Sequence, residues 1–187
     1  MVSSYQEKGS SDAFYPNNIS LAASHIIRDE YPGIEQIADF YTYSTHVTVP
    51  RGEMQANQPK TRFEQGKSND MIIVEPQYFS IFRYEWLAGA PMTSLSQPFQ
   101  VVLSESKARK YFGSVPFDQI LGKELIYDDS LHLQVSGIVK DWNKNSDLNF
   151  KDFISYSTIR LSFLKHAAGF DDPNQPDSMR KCRRIRK

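Results

Sequence analysis

The sequence has few of the features that hold small secreted domains together or anchor proteins in membranes. It contains one cysteine, Cys182, so neither an intrachain disulfide nor a cysteine-based metal site can form. No run approaches a length of about 18 apolar residues, which a membrane-spanning helix requires, and the N-terminus lacks the apolar segment of a signal peptide. The chain as given is therefore expected to be soluble, either by itself or as a piece cut from a membrane protein.

Motifs of nucleotide binding and of covalent catalysis are also missing. There is no Walker A or dinucleotide-type glycine loop, and no Gly-x-Ser-x-Gly nucleophile elbow. Ser136 precedes a glycine, but it lies in a predicted hairpin strand, which is a poor place for a strained nucleophile. Because a Ser-His-Asp arrangement assembles in space, a hydrolase remains an open alternative. The sequence itself assigns no catalytic residue and no cofactor-binding residue.

The histidines show no metal-ligand spacing, and no metal-binding residue is assigned. No two of them are four residues apart; they are His25, His46, His132 and His166. His46 and His132 stand between polar neighbours in predicted strands, which indicates exposed strand positions. The pair Asp128-Asp129 falls at a predicted hairpin tip, where its ordinary role is to form the turn.

The charge of the chain is balanced overall but unevenly distributed. The net charge is zero, and six basic residues stand among the last eight: Arg180, Lys181, Arg183, Arg184, Arg186 and Lys187. Subtracting these six charges leaves the rest of the chain at −6. An acidic body argues against a nucleic-acid partner. The polar and basic segment 166–187 predicts a disordered tail.

Hydrophobic residues make up 40% of the 187 residues, with 12 Phe and 10 Tyr, which is enough apolar surface for the core of one domain. The polar segment 1–16 predicts a flexible arm. Asn17 or Asn18 can cap a helix over Ile19–Glu30, and Tyr31-Pro32-Gly33 would end it.

Further along, period-two patterns predict strands. Ile34–Val49 is rich in Thr, Tyr and Val and predicts one long strand or a bent pair. A strand around Thr61–Gln65 would pair back on it, and Met71–Val74 predicts a short buried strand. Pro76–Phe82 predicts one or two helical turns. From Trp86 a polar link is expected, ending at Pro98.

The most informative stretch is Val101–Asp141. A strand over Gln100–Leu103 leads directly into a helix that Ser104 caps and Gly113 ends in a left-handed conformation. Lys123–Tyr127 then forms a predicted hairpin with a second strand, Leu131–Val139. One face of that strand is expected to carry Leu131, Leu133, Val135, Gly137 and Val139. A last ordered segment is expected from Phe150 to about Leu164.

Together these motifs resemble a known family. Val101–Gly113 is similar to the "vvLse-x-x-A-x-k-yFG" signature of the MacB-like periplasmic core domain of FtsX/MacB-type ABC transporter permeases. Val135–Asp141 resembles its "f-V-x-GVvkD" strand. Asn145–Phe150 resembles its "nSH-x-x-F" loop, with Asp147 where His is common. Four further segments resemble parts of the family pattern and occur in the right order: Tyr31–Ile34, Tyr78–Phe82, Leu87–Gly89 and Leu121–Lys123. The resemblance spans roughly residues 17–160.

The resemblance implies a fold and a location. The fold would be α+β, with mixed or antiparallel sheets, a few short helices and two lobes. The core domain would cover 17–165, after the arm 1–16 and before the tail 166–187, and would be incomplete at its C-terminal end. It would lie on the periplasmic side of the bacterial inner membrane, between two transmembrane helices.

The resemblance also implies a mechanical role rather than catalysis. In the family, a separate subunit or domain hydrolyses ATP, and the permease couples that cycle to export or to activation of a periplasmic partner. The implied partners are an ABC ATPase reached through the membrane part, another permease copy, and a periplasmic or outer-membrane protein. No cofactor and no nucleic acid is implied.

Two other functions stay open beside the permease reading: a binding module and the hydrolase. Phe40, Tyr41 and Tyr43 form a Tyr-rich strand face that could serve a free-standing binding module for a peptide, lipid or glycan. An exposed aromatic groove would support this reading, and packed rings would favour a structural role. A deep pocket with a perturbed histidine or carboxylate would support the hydrolase.

Overall fold

The computed structural model describes residues 33–50, 61–64, 70–144 and 148–162, together with Ile27, Glu30, Ser146 and Leu164. The strands within these ranges are β1 Phe40–Tyr43, β2 Val47–Val49, β3 Thr61–Phe63, β4 Met71–Val74, β5 Trp86–Ala88, β6 Gln100–Ser104, β7 Glu124–Tyr127, β8 Leu131–Val139 and β9 Asp152–Ser155. The helices are α1 Gln77–Ile81, α2 Glu105–Phe112, α3 Phe117–Ile120 and α4 Ser157–Arg160.

All nine strands belong to one mixed sheet. Their order is β1-β4-β9-β6-β8-β7-β2-β3, and β5 pairs with the end of β8. The pairs β4–β9 and β6–β8 are parallel and the others are antiparallel. The expected α+β class with short helices is confirmed. The expected division into two lobes is not confirmed, because the described strands form a single sheet.

The sheet is strongly curled. The strand order puts β1 and β2 six strand positions apart, which in a flat sheet would be about 29 Å. Only residues 44–46 join the two strands, and their four Cα–Cα steps reach at most about 15 Å. The sheet must therefore bend until its two ends approach each other. The predicted bent pair in Ile34–Val49 is confirmed as β1 and β2.

The central strands are buried on both faces, so the domain has two cores. On the first face, under α2, α3 and α4, lie Val47, Val49, Met71, Ile73, Val101, Leu103, Leu133, Val135 and Ile154. On the second face, around α1, lie Phe40, Ile72, Val74, Tyr78, Phe79, Val102, Val139 and Phe153. Neighbouring residues of β4, β6 and β9 alternate between the cores, as the pleat requires. The predicted buried strand at Met71–Val74 is confirmed.

The helix and hairpin predicted in the middle of the chain are confirmed. Ser104 Oγ accepts a hydrogen bond from the Lys107 backbone N–H at 3.4 Å, and Gly113 ends α2 with φ +66°. At the hairpin tip, Asp128 and Asp129 have φ values of +52° and +55°. Two consecutive positive values are typical of a type I′ turn, whose twist suits antiparallel strands.

One predicted strand face is wrong. Leu131, Leu133 and Val135 do share the first core, but Ile138 joins them there and Val139 lies in the second core. The reason is an irregularity in the pairing of β6 with β8, where consecutive residues Val101 and Val102 face Val135 and Gly137. Ser136 is thus an extra residue, a β-bulge, which reverses the side-chain alternation beyond it.

Two short elements were missed by the sequence analysis: β5, within the expected polar link, and α3. Both are too short to show a periodic pattern. Ile27 and Glu30 are helical, while the rest of the helix predicted over Ile19–Glu30 lies outside the described residues, as do the arm 1–16 and the tail 166–187. Among the described residues, no helix is long and apolar enough to cross a membrane.

Candidate functional site

The start of α2 joins two of the sequence motifs that were far apart in the chain. Asp141, just after β8, accepts hydrogen bonds from the Ser106 backbone N–H at 3.0 Å and from Ser106 Oγ at 2.6 Å. Because helix N-termini have unpaired N–H groups and a positive dipole end, a carboxylate there is stabilising. Asp141 therefore fixes α2 to the sheet and has no free role in chemistry.

Ser136, which the sequence offers as a serine before a glycine, has a structural role. Ser136 Oγ lies within hydrogen-bonding distance of the carbonyl oxygens of Ser94 and Val101, the latter at 3.3 Å. Ser94 Oγ in turn donates to the Ser136 carbonyl oxygen at 2.9 Å. These bonds attach the loop after β5 to the bulge in β8. A serine held in this way has no adjacent base to activate it.

The prediction for His46 is wrong and that for His132 is confirmed. His46 precedes β2 and its side chain is only 12% exposed, because Arg62 and Asp129 enclose it. Its Nδ1 lies 3.0 Å from the Arg62 guanidinium and its Nε2 lies 3.1 Å from Asp129. His132 is exposed on β8 and lies 2.8 Å from Glu124. His25 and His166 lie outside the described residues.

The small charged cluster around Asp129 stabilises the hairpin tip. The hydrogen bond from His46, followed by the charge of Arg62, holds the pKa of Asp129 below its ordinary value. Arg62 also bonds Glu64 at 2.8 Å. Within the described part of the chain, no three His, Cys, Asp or Glu side chains are grouped to hold a metal ion.

The Tyr-rich face of the predicted strand is packed. Phe40 lies 5.3 Å from the Phe150 ring, and Tyr41 stacks on Tyr156 at 5.8 Å. Both are buried, whereas Tyr43 is partly buried against the first core. Burial raises the pKa of Tyr43 to about 12. These rings therefore serve the core and do not form a stacking platform.

A cleft of about 300 Å³ lies beside the start of β1 and the end of β4. Its lining residues are Ile34, Glu35, Gln36, Ile37, Glu75 and Gln77. The two carboxylates and two amides make the cleft polar. Its described lining includes no histidine, serine or cysteine, so it offers no hydroxyl, thiol or imidazole nucleophile there.

A group of buried ionisable side chains, which the sequence analysis missed, lies beneath α2. Asp152, the first residue of β9, is fully buried, and its Oδ2 accepts hydrogen bonds from Tyr111 at 2.9 Å and Tyr127 at 3.3 Å. Nearby, Lys107 Nζ lies 3.1 Å from Asp70 Oδ2. Burial raises the pKa of Asp152 to about 6, although Lys107 opposes the shift. The sequence feature that could have indicated this group is Asp152 itself, a carboxylate within an otherwise apolar strand.

Two residues with exposed apolar side chains have their backbones hydrogen-bonded to the same residue, Thr158. Phe99 is 37% exposed and Leu161 is 64% exposed. The Phe99 backbone N–H donates to Thr158 Oγ1 at 2.8 Å, and the Leu161 backbone N–H donates to the Thr158 carbonyl oxygen at 3.2 Å. We call these two residues the Phe99–Leu161 surface. Met92 is similarly exposed at 60%, but it lies elsewhere, with its sulfur 3.7 Å from Ser80 of α1.

Phe99 also has an unusual backbone. Its φ is +59°, a region that a bulky residue rarely adopts. The conformation is maintained because the Phe99 carbonyl oxygen accepts from the Gln134 N–H at 2.8 Å while its own N–H binds Thr158. Strain of this kind persists where the surrounding structure fixes it, and it is found disproportionately at functional positions.

Comparison with known proteins identifies the fold. The sequence pattern of the MacB-like periplasmic core domain matches residues 1–178. The chain belongs to this family. The resemblance found in the sequence is therefore confirmed, and the protein is related to the periplasmic domains of MacB-like ABC transporter permeases. No functionally curated protein matches the chain in sequence.

Three solved structures are among those with a similar fold. A domain of a putative permease from Porphyromonas gingivalis is 21% identical, with a TM-score of 0.54 over 75% of this chain and 57% of that one. The periplasmic region of MacB from Actinobacillus actinomycetemcomitans is 18% identical, with a TM-score of 0.56 over 79% and 59%. The extracellular domain of the noncanonic ABC-type transporter YknZ from Gram-positive bacteria is 15% identical, with a TM-score of 0.52 over 79% and 68%. The chain thus spans less than two thirds of the first two structures.

Proposed function

We propose that this chain is a non-catalytic extracytoplasmic domain that couples ATP hydrolysis by a separate cytoplasmic subunit to export or to activation of a periplasmic partner. The observation that carries the proposal is membership of the MacB-like periplasmic core domain family. The proposal includes the boundaries 17–165 for the core, with a flexible arm before it and a disordered tail after it. Its partners are an ABC ATPase, a second permease copy and a periplasmic or outer-membrane protein.

A domain that transmits motion needs a body that moves as a unit. The continuous sheet, buried on both faces, supplies such a body, because a close-packed interior transmits displacement rather than absorbing it. Asp141 fastens the start of α2 to the end of β8, and the Ser94–Ser136 bonds fasten the loop after β5. These contacts favour rigid-body movement of the described residues.

Such a domain also needs a contact surface. The Phe99–Leu161 surface has two exposed apolar side chains on residues that are both bonded to Thr158, and Phe99 has a backbone φ that bulky residues rarely adopt. Large exposed apolar side chains cost little in a monomer but contribute strongly when a partner covers them. We assign this surface to contact with another protein of the transporter assembly.

The first experiment reads the coding DNA on both sides of this segment. A hydrophobic stretch of about 20 codons upstream and further ones downstream would support an extracytoplasmic domain between membrane helices. If no membrane segment is encoded within reach on either side, the coupling function is refuted and a free-standing module is favoured.

The second experiment tests coupling in the complete permease, reconstituted with its ATPase in lipid vesicles. We expect the double variant Phe99→Ser with Leu161→Ser to lower the amount of work performed per ATP hydrolysed, measured as export or partner activation. Met92→Ser is the matched control, because Met92 is as exposed as Leu161 but lies apart from it. Equal coupling in the double variant and in the control would refute the assignment of the contact surface.

A binding module is the second candidate, favoured only by the polar cleft at Glu35 and Glu75. Its volume of about 300 Å³ is at the small end of the range for ligand sites. The packed aromatic face gives this alternative no further support. The hydrolase gains none either, because the perturbed carboxylate of Asp152 is sealed inside the sheet.

A further inference from the structure

The connection between β1 and β2, residues 44–46, is held by the tip of the β7–β8 hairpin, and we call it the β1–β2 corner. The His46 carbonyl oxygen accepts from the Asp128 backbone N–H at 3.2 Å, and Thr45 Oγ1 donates to Asp128 Oδ1 at 3.1 Å. The His46 ring lies between Asp129 of the same tip and Arg62 of β3. One side chain of the corner thus contacts both the hairpin tip and the last strand of the sheet order.

The Arg62 guanidinium determines where the His46 ring carries its proton. Arg62 Nη2 lies 3.0 Å from His46 Nδ1, and a guanidinium has only donors and stays charged in proteins. Nδ1 must therefore accept, so the ring in this arrangement is neutral and has its one proton on Nε2. Nε2 lies 3.1 Å from an acceptor, Asp129 Oδ1. Rotating the ring by half a turn would put carbon atoms against both groups, so no equivalent arrangement exists.

A second proton on the ring is incompatible with the Arg62 contact. It would bind at Nδ1 and place two positively charged donors 3.0 Å apart. The same proton strengthens the contact with Asp129, because an imidazolium then faces a carboxylate. Arg62 is the partner that moves, since its side chain is half exposed and also contacts Glu64 at 2.8 Å and Asp129 at 3.1 Å.

Besides Arg62, the titratable side chains on the described elements around His46 are Asp128, Asp129, Glu64 and Tyr43. The hydrogen bond from His46 holds the pKa of Asp129 below its ordinary value, and burial raises the pKa of Tyr43 to about 12. Neither of these two groups therefore changes its charge between pH 8 and pH 5. Unperturbed carboxyl groups titrate at about pH 4 and imidazoles at about pH 6.5. Acidification over this range thus acts on the corner through the imidazole.

We propose that His46 is a proton-dependent joint: when neutral it binds Arg62 and attaches β3 to the β1–β2 corner, and when protonated it keeps Asp129 and releases Arg62. The arrangement with Arg62 bound holds one proton fewer than the released one. It is therefore favoured at high pH and lost as the pH falls through the imidazole range. Because β3 is the last strand in the sheet order, this exchange changes how one edge of the domain is attached.

A double-mutant cycle measured at two pH values tests the joint in the intact chain. Urea denaturation gives the unfolding constants of the unmodified chain, His46→Leu, Arg62→Met and the double variant at pH 8 and at pH 5. At pH 8 the pair should lower the unfolding constant by about threefold to tenfold, as expected for one partly exposed hydrogen bond to a charged donor. At pH 5 this coupling should vanish or change sign.

The pair His132 and Glu124 is the matched control, measured in the same way with His132→Leu and Glu124→Gln. Its histidine lies 2.8 Å from a carboxylate and is exposed, so acidification should strengthen the coupling. A coupling of His46 with Arg62 that is equal at both pH values, or larger at pH 5, overturns the proposal. Weakening of both pairs at pH 5 would be a general effect of acid and would also overturn it.

If a His46 or Arg62 variant does not fold, nitrogen-15 spectra of the His46 ring in the unmodified chain decide. A ring that has its proton on Nε2 and contacts Arg62 at pH 8, and that is doubly protonated and separated from Arg62 at pH 5, supports the joint. A proton on Nδ1 at pH 8, or an unchanged Arg62 contact at pH 5, overturns it.

Discussion

Replacement of Gly89 by alanine should be far more damaging than the same change at Gly122, although the two glycines have nearly the same backbone conformation. Their φ values are +80° and +83°. A Cβ on Gly122 would meet no atom within 4 Å, whereas a Cβ on Gly89 would lie 2.6 Å from the Ser136 carbonyl oxygen and 2.9 Å from the Gly137 Cα. Both neighbouring atoms belong to the backbone of the central strand β8, so they cannot rotate away.

The magnitudes can be worked out from these contacts. Gly122→Ala should cost about 1 kcal/mol, which is the strain of an alanine in the left-handed region. Gly89→Ala incurs the same strain and must also separate the loop after β5 from β8. That separation breaks the bonds between Ser94 and Ser136 and strains the 3.0 Å bond from the Ala90 N–H to Ser94 Oγ. At about 1 kcal/mol for each bond, the total reaches about 4 kcal/mol.

Urea denaturation followed by tryptophan fluorescence measures both changes. Trp86 and Trp142 are the two tryptophans, and Trp86 lies beside the affected contact, where its Cζ3 is 2.6 Å from the Cβ position of Gly137. We expect a small shift of the midpoint for Gly122→Ala and a loss of about 4 kcal/mol for Gly89→Ala. Equal losses in the two variants would refute the close approach of the loop to β8.

Three further predictions concern single side chains. Asp141→Ala should destabilise the domain by about 1–2 kcal/mol in urea denaturation, because it removes the carboxylate that binds Ser106 at the start of α2. Asp141→Asn should lose less stability. A neutral result for the alanine variant would contradict the capping role of Asp141. Phe99→Gly should leave stability unchanged or raise it by up to about 1 kcal/mol, since glycine accepts φ +59° without strain; a large loss would show that the ring is needed for packing. The pKa of Asp129 is lowered in the folded state, so its contribution to stability is present above pH 3.8 and is lost as the pH falls through the folded-state pKa. Asp129→Asn should therefore reduce the slope of thermal stability against pH below 4. An unchanged slope would contradict the pairing of Asp129 with His46 and Arg62.

Local features of the fold follow from the sequence because their causes are local. Ser104 and Gly113 delimit α2 by the preferences of a single N-cap residue and of a glycine that accepts a positive φ. The two aspartates at the hairpin tip suit the turn because short polar side chains tolerate positive φ values. The apolar run at Met71–Val74 predicts a strand buried on both faces, and such a strand needs no further information.

Features that depend on partners distant in sequence were not predictable. The bulge at Ser136 is bonded to the loop carrying Ser94, and no pattern within β8 shows that Val139 changes face. The placement of β1 and β2 six positions apart in the strand order also requires the whole sheet. Asp152 could be noticed in the sequence as a carboxylate in an apolar strand, but its contacts with Lys107, Tyr111 and Tyr127 come from two other elements.

The residues that identify the family are the residues that build the domain, and this explains why the sequence indicates a fold more readily than a mechanism. In the signature segment Val101–Gly113, the strand residues fill both cores and the helix start is capped by Ser104. Asp141, from a separate motif, completes that cap across the sheet. By contrast, Phe99 and Leu161 lie outside the signature segment. Differences in partner between members of the family are therefore expected to arise at such positions, while the capped strand-to-helix connection maintains the common fold.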